Sequence, residues 1–179
     1  EFLSEVMKMP HKNLAVELLQ RLIKDEVKSK FRTNVVKQRK FSDLLQASLG
    51  KYANRAIEAA QVIEELIAMA KQFQEDLARR ESHNMSDEEE AFYDALAKNE
   101  SAQEVMGEEV LVEMAREIAA KLRDNLTVDW AVRDSVRAKL RILIRTLLRR
   151  YKYPPDQAKD AVEMVLRQAE VVSEFEIAA

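Results

Sequence analysis

Apolar positions recur every three or four residues through almost the whole chain, and no stretch alternates apolar with polar at period two. That spacing predicts helices and no sheet. The fold class it implies is all-α, a multi-helix bundle of about seven to nine helices in one domain spanning residues 1–179. The organising stretch runs from Trp130 to Pro155 and reads as one long helix. Val132, Val136, Leu140, Leu143 and Leu147 form its apolar stripe, which Ile144, Leu148 and Tyr151 widen to a core-facing breadth. Trp130, Leu140, Leu143 and Leu147 are therefore structural candidates. Opposite them, Arg133, Arg137, Arg141, Arg145 and Arg149 stand at strict four-residue spacing, followed by Arg150 and Lys152.

Before that helix, Pro10 closes a short lead-in and Asn13 is a candidate N-cap for a helix to about Phe31. Leu14, Leu18 and Leu22 form one row on it and Leu19, Ile23 and Val27 another, so a wide buried face is expected. Thr33 and Asn34 interrupt, with Asn34 placed to cap a helix carrying Phe41, Leu44, Leu45 and Leu49. Gly50 and Asn54 allow a bend, which leaves one kinked helix or two. From Tyr52 through Ala56, Ala59, Ile63, Leu66, Ala70 and Phe73 to Leu77 the apolar spacing alternates four and three. Val62, Ile67 and Met69 broaden this seam beyond a coiled-coil stripe, which favours packing inside a bundle.

The polar run from Arg79 to Asn84 ends that helix, and 79–86 is the expected mobile loop. Ser86-Asp-Glu-Glu89 is a capping box for a short helix with Ala91, Phe92, Leu96 and Ala97. Asn99 to Gly107 breaks the pattern. Leu111, Met114, Ala115, Ile118 and Leu122 restore it over Glu108 to Leu126, and Thr127 or Asp129 starts the arginine-rich helix. Pro154-Pro155-Asp156 stops that helix and begins the last, whose seam is Ala158, Val162, Val165, Ala169 and Val172.

Composition narrows the picture. Two glycines and three prolines in 179 residues, against about 7% and 5% in average proteins, mean long helices and few tight turns. The absence of cysteine excludes disulfides and thiolate metal sites. With no apolar run of membrane-spanning length and no leader-like start, a cytoplasmic protein off the membrane is expected. The opening Glu-Phe-Leu-Ser-Glu-Val-Met has no initiating Met and is already patterned like the end of a helix, which reads as a piece of something larger.

The net charge of −3 conceals three blocks. Residues 12–40 carry nine Lys and Arg against three acids, or +6; residues 86–125 carry four against twelve, or −8; residues 130–152 carry eight against one, or +7. Two readings of the arginine row follow. It is either a solvated face answering the acidic block, or a track for phosphate or an acidic partner.

Catalytic chemistry finds little purchase. Gly50 and Gly107 are isolated, so no phosphate loop is present. Asp87-Glu88-Glu89-Glu90 is explained by the helix start after Ser86. Glu26-Val27-Lys28 has a nuclease-like order but lies within a helical pattern. His11 and His83 fall in linkers and read as solvated, and no metal ligand set is assigned.

Six longer motifs carry a family resemblance. They are Pro10-His-Lys-Asn-Leu-Ala-Val-Glu-Leu-Leu, Arg39-Lys-Phe-Ser-Asp-Leu-Leu, Asn54-Arg-Ala-Ile-Glu-Ala-Ala-Gln-Val-Ile-Glu-Glu-Leu-Ile, Glu90-Ala-Phe-Tyr-Asp-Ala-Leu, Asp129-Trp-Ala-Val-Arg-Asp-Ser-Val-Arg-Ala-Lys-Leu-Arg and Leu148-Arg-Arg-Tyr-Lys-Tyr-Pro-Pro-Asp. In this order they resemble the C-terminal helical region of type I restriction enzyme R subunits. At Asn54-Arg-Ala56 the chain departs from that pattern, which has a serine after the arginine. The resemblance implies a parent that is an ATP- and Mg-dependent DNA translocase and endonuclease, none of whose catalytic machinery or cofactors belongs to these residues. It also implies a role in docking the motor subunit onto the methyltransferase and specificity subunits.

The alternative is a DNA-contacting module that supports the motor during translocation, and a third reading is a bundle that only buttresses the motor lobes. Docking is preferred, because the overall charge is negative and aromatics make up only 6% of the chain. The contact candidates for either partner are Arg133, Arg137, Arg141, Arg145, Arg149, Arg150 and Lys152. Pro154 and Pro155 complete the structural set.

Overall fold

Among the described residues the periodic segments are helical. The structure, a computed structural model, describes residues 1–125 and 133–178, the side chains of Arg133 and of residues 174–178 excepted. Among the described residues there are nine helices and no strand. They are α1 (Phe2–Lys8), α2 (Lys12–Lys30), α3 (Val35–Ala53), α4 (Ala59–Ser82), α5 (Asp87–Ala97), α6 (Glu100–Met106), α7 (Glu108–Asn125), α8 (Arg133–Arg150) and α9 (Ala158–Ala178). They form two compact units: Glu1–Arg32 with Lys37–Ser82, and Thr33–Val36 with the chain from His83 onward.

In the first unit α2 packs along α4. Phe31, Phe41 and Phe73 meet at its centre, the first two rings parallel at 5.8 Å and Phe73 edge-on to both at 4.9 and 5.5 Å. A helix packed along one side buries one stripe. Ala15, Val16, Leu19 and Ile23 are buried while Leu14 and Leu18 are exposed, so the face of α2 is narrower than its two leucine rows suggest. His11, not Asn13, occupies the N-cap position of α2, and the Asn13 side-chain oxygen instead accepts from the Tyr52 hydroxyl. The seam that seemed continuous from Tyr52 belongs to two helices. Arg55 adopts φ 55°, and the Ala56 N–H reaches back to the Lys51 carbonyl at 2.8 Å, a Schellman closure that ends α3 three residues after Gly50 has passed unbroken within it.

In the second unit α5 packs against both α7 and α9, and every residue from Glu90 to Ala97 is buried. A helix covered all round is a core helix. Its start is the expected one, with the Ser86 hydroxyl accepting from the Glu89 N–H at 3.1 Å. Asn99 to Gly107 does not remain irregular. The Asn99 side-chain oxygen accepts from the Ser101 N–H at 3.1 Å and starts the short α6, and Gly107 at φ 81° closes it. The α4 helix runs to Ser82, into the polar stretch read as a loop.

The segment Thr33–Val36 is held by side chains of this second unit. Asn34 donates to Asp94 at 2.7 Å, the Val35 N–H donates to Gln168 at 3.0 Å, and the Gln168 amide donates to the Thr33 carbonyl. Asn34, Asp94 and Gln168 are all buried, so these bonds satisfy groups that would otherwise be costly to cover.

Candidate functional site: the outward face of α8

The sequence of α8 divides it into an inner and an outer side. Val136, Leu140, Ile144, Leu147 and Leu148 are buried, with Leu143 and Tyr151 packed partly against the same core. This is the stripe expected from spacing. Val132 and Trp130, like Thr127 and Asp129, lie outside the described residues. The helix ends before the prolines: Lys152 adopts φ 58° and the Tyr153 N–H bonds the Leu148 carbonyl at 2.9 Å. Pro154 and Pro155 follow this closure, where they bar the helix from continuing. The Tyr153 hydroxyl then donates to the Leu96 carbonyl at 2.7 Å, which ties the turn to α5.

The described arginines of the row differ in their contacts. Arg137 pairs with Glu170 at 3.0 Å. Arg141 takes Glu163 with two nitrogens, at 3.1 and 3.4 Å. Both acids lie on α9, seven residues apart, and the pairing order shows that α8 and α9 run antiparallel. Arg150 pairs with Glu117 of α7, whose carboxylate also accepts from the Tyr151 hydroxyl at 2.6 Å. These two donors, Arg150 first, hold the Glu117 carboxyl down to about 2 from its ordinary 4.5. From the acidic block read as the counterpart of the row, Glu117 pairs with Arg150, a cation of α8 that stands outside the four-residue row.

Arg145 and Arg149 are left. Both are exposed and neither makes an ion pair among the described residues, as is also true of Lys139 and Lys152. Arg133 lies within α8 but its side chain is not described. The exposed positions Lys139, Ile142, Arg145, Thr146 and Arg149 share one helix face, about 15 Å long at 1.5 Å per residue. Ile142 is the unexpected member. It is 65% exposed in the middle of this cationic face.

The other sequence candidates have structural roles. Glu88 pairs with Arg123 at 3.0 Å and Glu89 with Arg116 at 3.2 Å, while Glu90 is buried, so the acidic run serves the start of α5. His83, read as solvated, is partly buried with Nε2 3.3 Å from Glu108, and its carbonyl accepts from Arg116. Among the described residues no group of His, Asp and Glu could hold a metal ion, and no helix is long and apolar enough to cross a membrane. Sequence reading missed Ile142 and the α9 acids. The seven-residue interval between Glu163 and Glu170 was a signal for the second.

Comparison with known proteins agrees with the motif resemblance. Residues 1–174 match the family model described as type I restriction enzyme HindI endonuclease subunit-like, C-terminal. The chain is 41% identical over 174 residues to the type I restriction enzyme HindI endonuclease subunit of Haemophilus influenzae, covering 97% of this chain and 16% of that protein. It is 27% identical over 149 residues to a protein of Methanocaldococcus jannaschii described as a type I restriction enzyme MjaIXP endonuclease subunit, covering 83% of this chain and 14% of that one. No solved structure matches the chain at a significant level.

Proposed function

The chain belongs to the family of C-terminal regions of HindI-like type I restriction endonuclease subunits, and from that membership we propose that it docks the subunit onto the methyltransferase and specificity subunits of the complex. The outward face of α8 is the docking surface. On this reading the ATP- and Mg-dependent motor and nuclease chemistry resides elsewhere in the parent subunit, and these residues carry no catalytic step.

The observation that carries the proposal is Ile142, 65% exposed and flanked by the unpaired cations Lys139, Arg145 and Arg149. Protein interfaces combine an apolar anchor with a polar or charged rim. A surface that only followed a phosphate backbone gains nothing from an isoleucine between its cations, since such contacts are electrostatic and salt-sensitive. The pairs of Arg137, Arg141 and Arg150 within the second unit support the same division, because they hold α8 in place and leave one face open.

Co-migration on size exclusion tests this. The chain should elute with a purified methyltransferase–specificity core in the absence of DNA, and Ile142→Asp should abolish the shift while leaving the helical spectrum unchanged. A chain that never associates with the core, or that associates only when DNA is added, would show the reading to be wrong.

A further inference from the structure

Beside the α8 face, the end of α8 and the start of α9 enclose a groove of about 310 Å³. Arg145 and Arg149 stand on one wall and Lys159 on the other, over a floor that includes Leu148, Pro155 and Val162. No acid lines it. Lys159, like the two arginines, is exposed and makes no ion pair among the described residues. Glu163, next to Val162 of the floor on α9, is already engaged by Arg141. Ala158 and Lys159 also bring the positive end of the α9 dipole to the groove.

We infer that this groove receives an acidic segment of the docked core, with carboxylates set between Arg145, Arg149 and Lys159 and an aliphatic side chain lying on the apolar floor. This rests on the docking proposal and names the chemistry of the partner. Three positive charges that make no ion pair among the described residues favour an anion. The floor then distinguishes among anions. Single-stranded nucleic acid needs an aromatic platform for its bases, but the one aromatic ring lining the groove, Tyr153, is only 5% exposed and its hydroxyl is fixed on the Leu96 carbonyl. A peptide supplies both carboxylates and an aliphatic group. At about 310 Å³ the groove has room for an apolar side chain with its flanking carboxylates.

Lys159 makes the test specific, because it lines the groove from α9 and lies off the α8 face. Zero-length carbodiimide coupling should join Lys159 to an Asp or Glu of the core in the assembled complex. Lys159→Glu should weaken association about tenfold at low salt with an unchanged melting temperature. Lys159→Arg should restore it. If the core binds the unaltered chain but Lys159 is never coupled and Lys159→Glu is without effect, the groove assignment fails and docking stands. Absence of any association overturns both. A DNA duplex of roughly 20 base pairs that binds the chain and is released by Lys159→Glu would place phosphate in the groove and overturn the assignment.

Discussion

Arg141 holds Glu163 with two guanidinium nitrogens, joining the middle of α8 to α9. The same pair withdraws one cation from the row that would otherwise face a partner. Both groups are substantially exposed, at 35% and 49% for the side chains, so a double-mutant cycle with Arg141→Ala and Glu163→Ala should give a coupling of about 0.5 kcal/mol. Association with the core should be nearly unaffected. A large loss of association with Arg141→Ala alone would mean that the pair opens to meet the partner.

Buried charge is handled differently in the first unit. The Lys37 ammonium lies 2.6 Å from Asp76, both side chains are almost fully covered, and Lys40 and Arg79 approach the same carboxylate at 3.5 and 3.6 Å. Three cations thus converge on one carboxylate. Asp76→Ala should destabilise the unit by about 3 kcal/mol, since it removes a buried carboxylate on which three cations converge. Urea denaturation followed by far-UV circular dichroism measures it, and a loss below about 1 kcal/mol would show the charges to be hydrated.

Acid stability should report on Glu117. Its folded pKa is depressed to about 2 from 4.5 by Arg150 and Tyr151. A depressed carboxyl stabilises the fold fully above its unfolded pKa, and the contribution is lost as pH falls from about 4.5 towards 2. The Glu117→Gln variant should therefore be less stable than the parent chain at neutral pH, and the difference should shrink across that window. Thermal melts at a series of pH values check this. A constant difference from pH 6 down to about 2.5 would contradict the assignment.

The inner stripe of α8 should behave as core. Leu140 is 2% exposed, and Leu140→Ala should cost about 3 kcal/mol through lost burial and the cavity left behind. Ile142→Ala, one residue pair away on the outer side, should cost under about 0.5 kcal/mol. Equal losses would mean that the helix is turned from the orientation described.

Period-based reading recovered the longer helices because each buries a stripe long enough to repeat, and it passed over α6, whose seven residues bury Ala102 alone. It recovered the Ser86 cap because the Ser–Glu interval is a local rule. It failed where the outcome was tertiary. Leu14 and Leu18 carry the same local signal as Leu19 and Ile23, and only the placement of α4 decides which row is covered. Arg55 and Lys152 close α3 and α8 in the left-handed region, a conformation that glycine or asparagine would have announced and these residues did not. At the candidate site, the five-arginine spacing was legible but its division was not. Which arginines pair depends on α9 lying antiparallel beside α8, and only then do Arg145 and Arg149 emerge as the open pair.

On the proposed docking, this open pair meets the methyltransferase–specificity core together with Ile142. Titration calorimetry of the chain carrying Arg145→Glu and Arg149→Glu against the purified core tests it most directly. Affinity should fall by about a hundredfold while the thermal melt of the free chain matches that of the unaltered protein. Unchanged affinity with both charges reversed would contradict it.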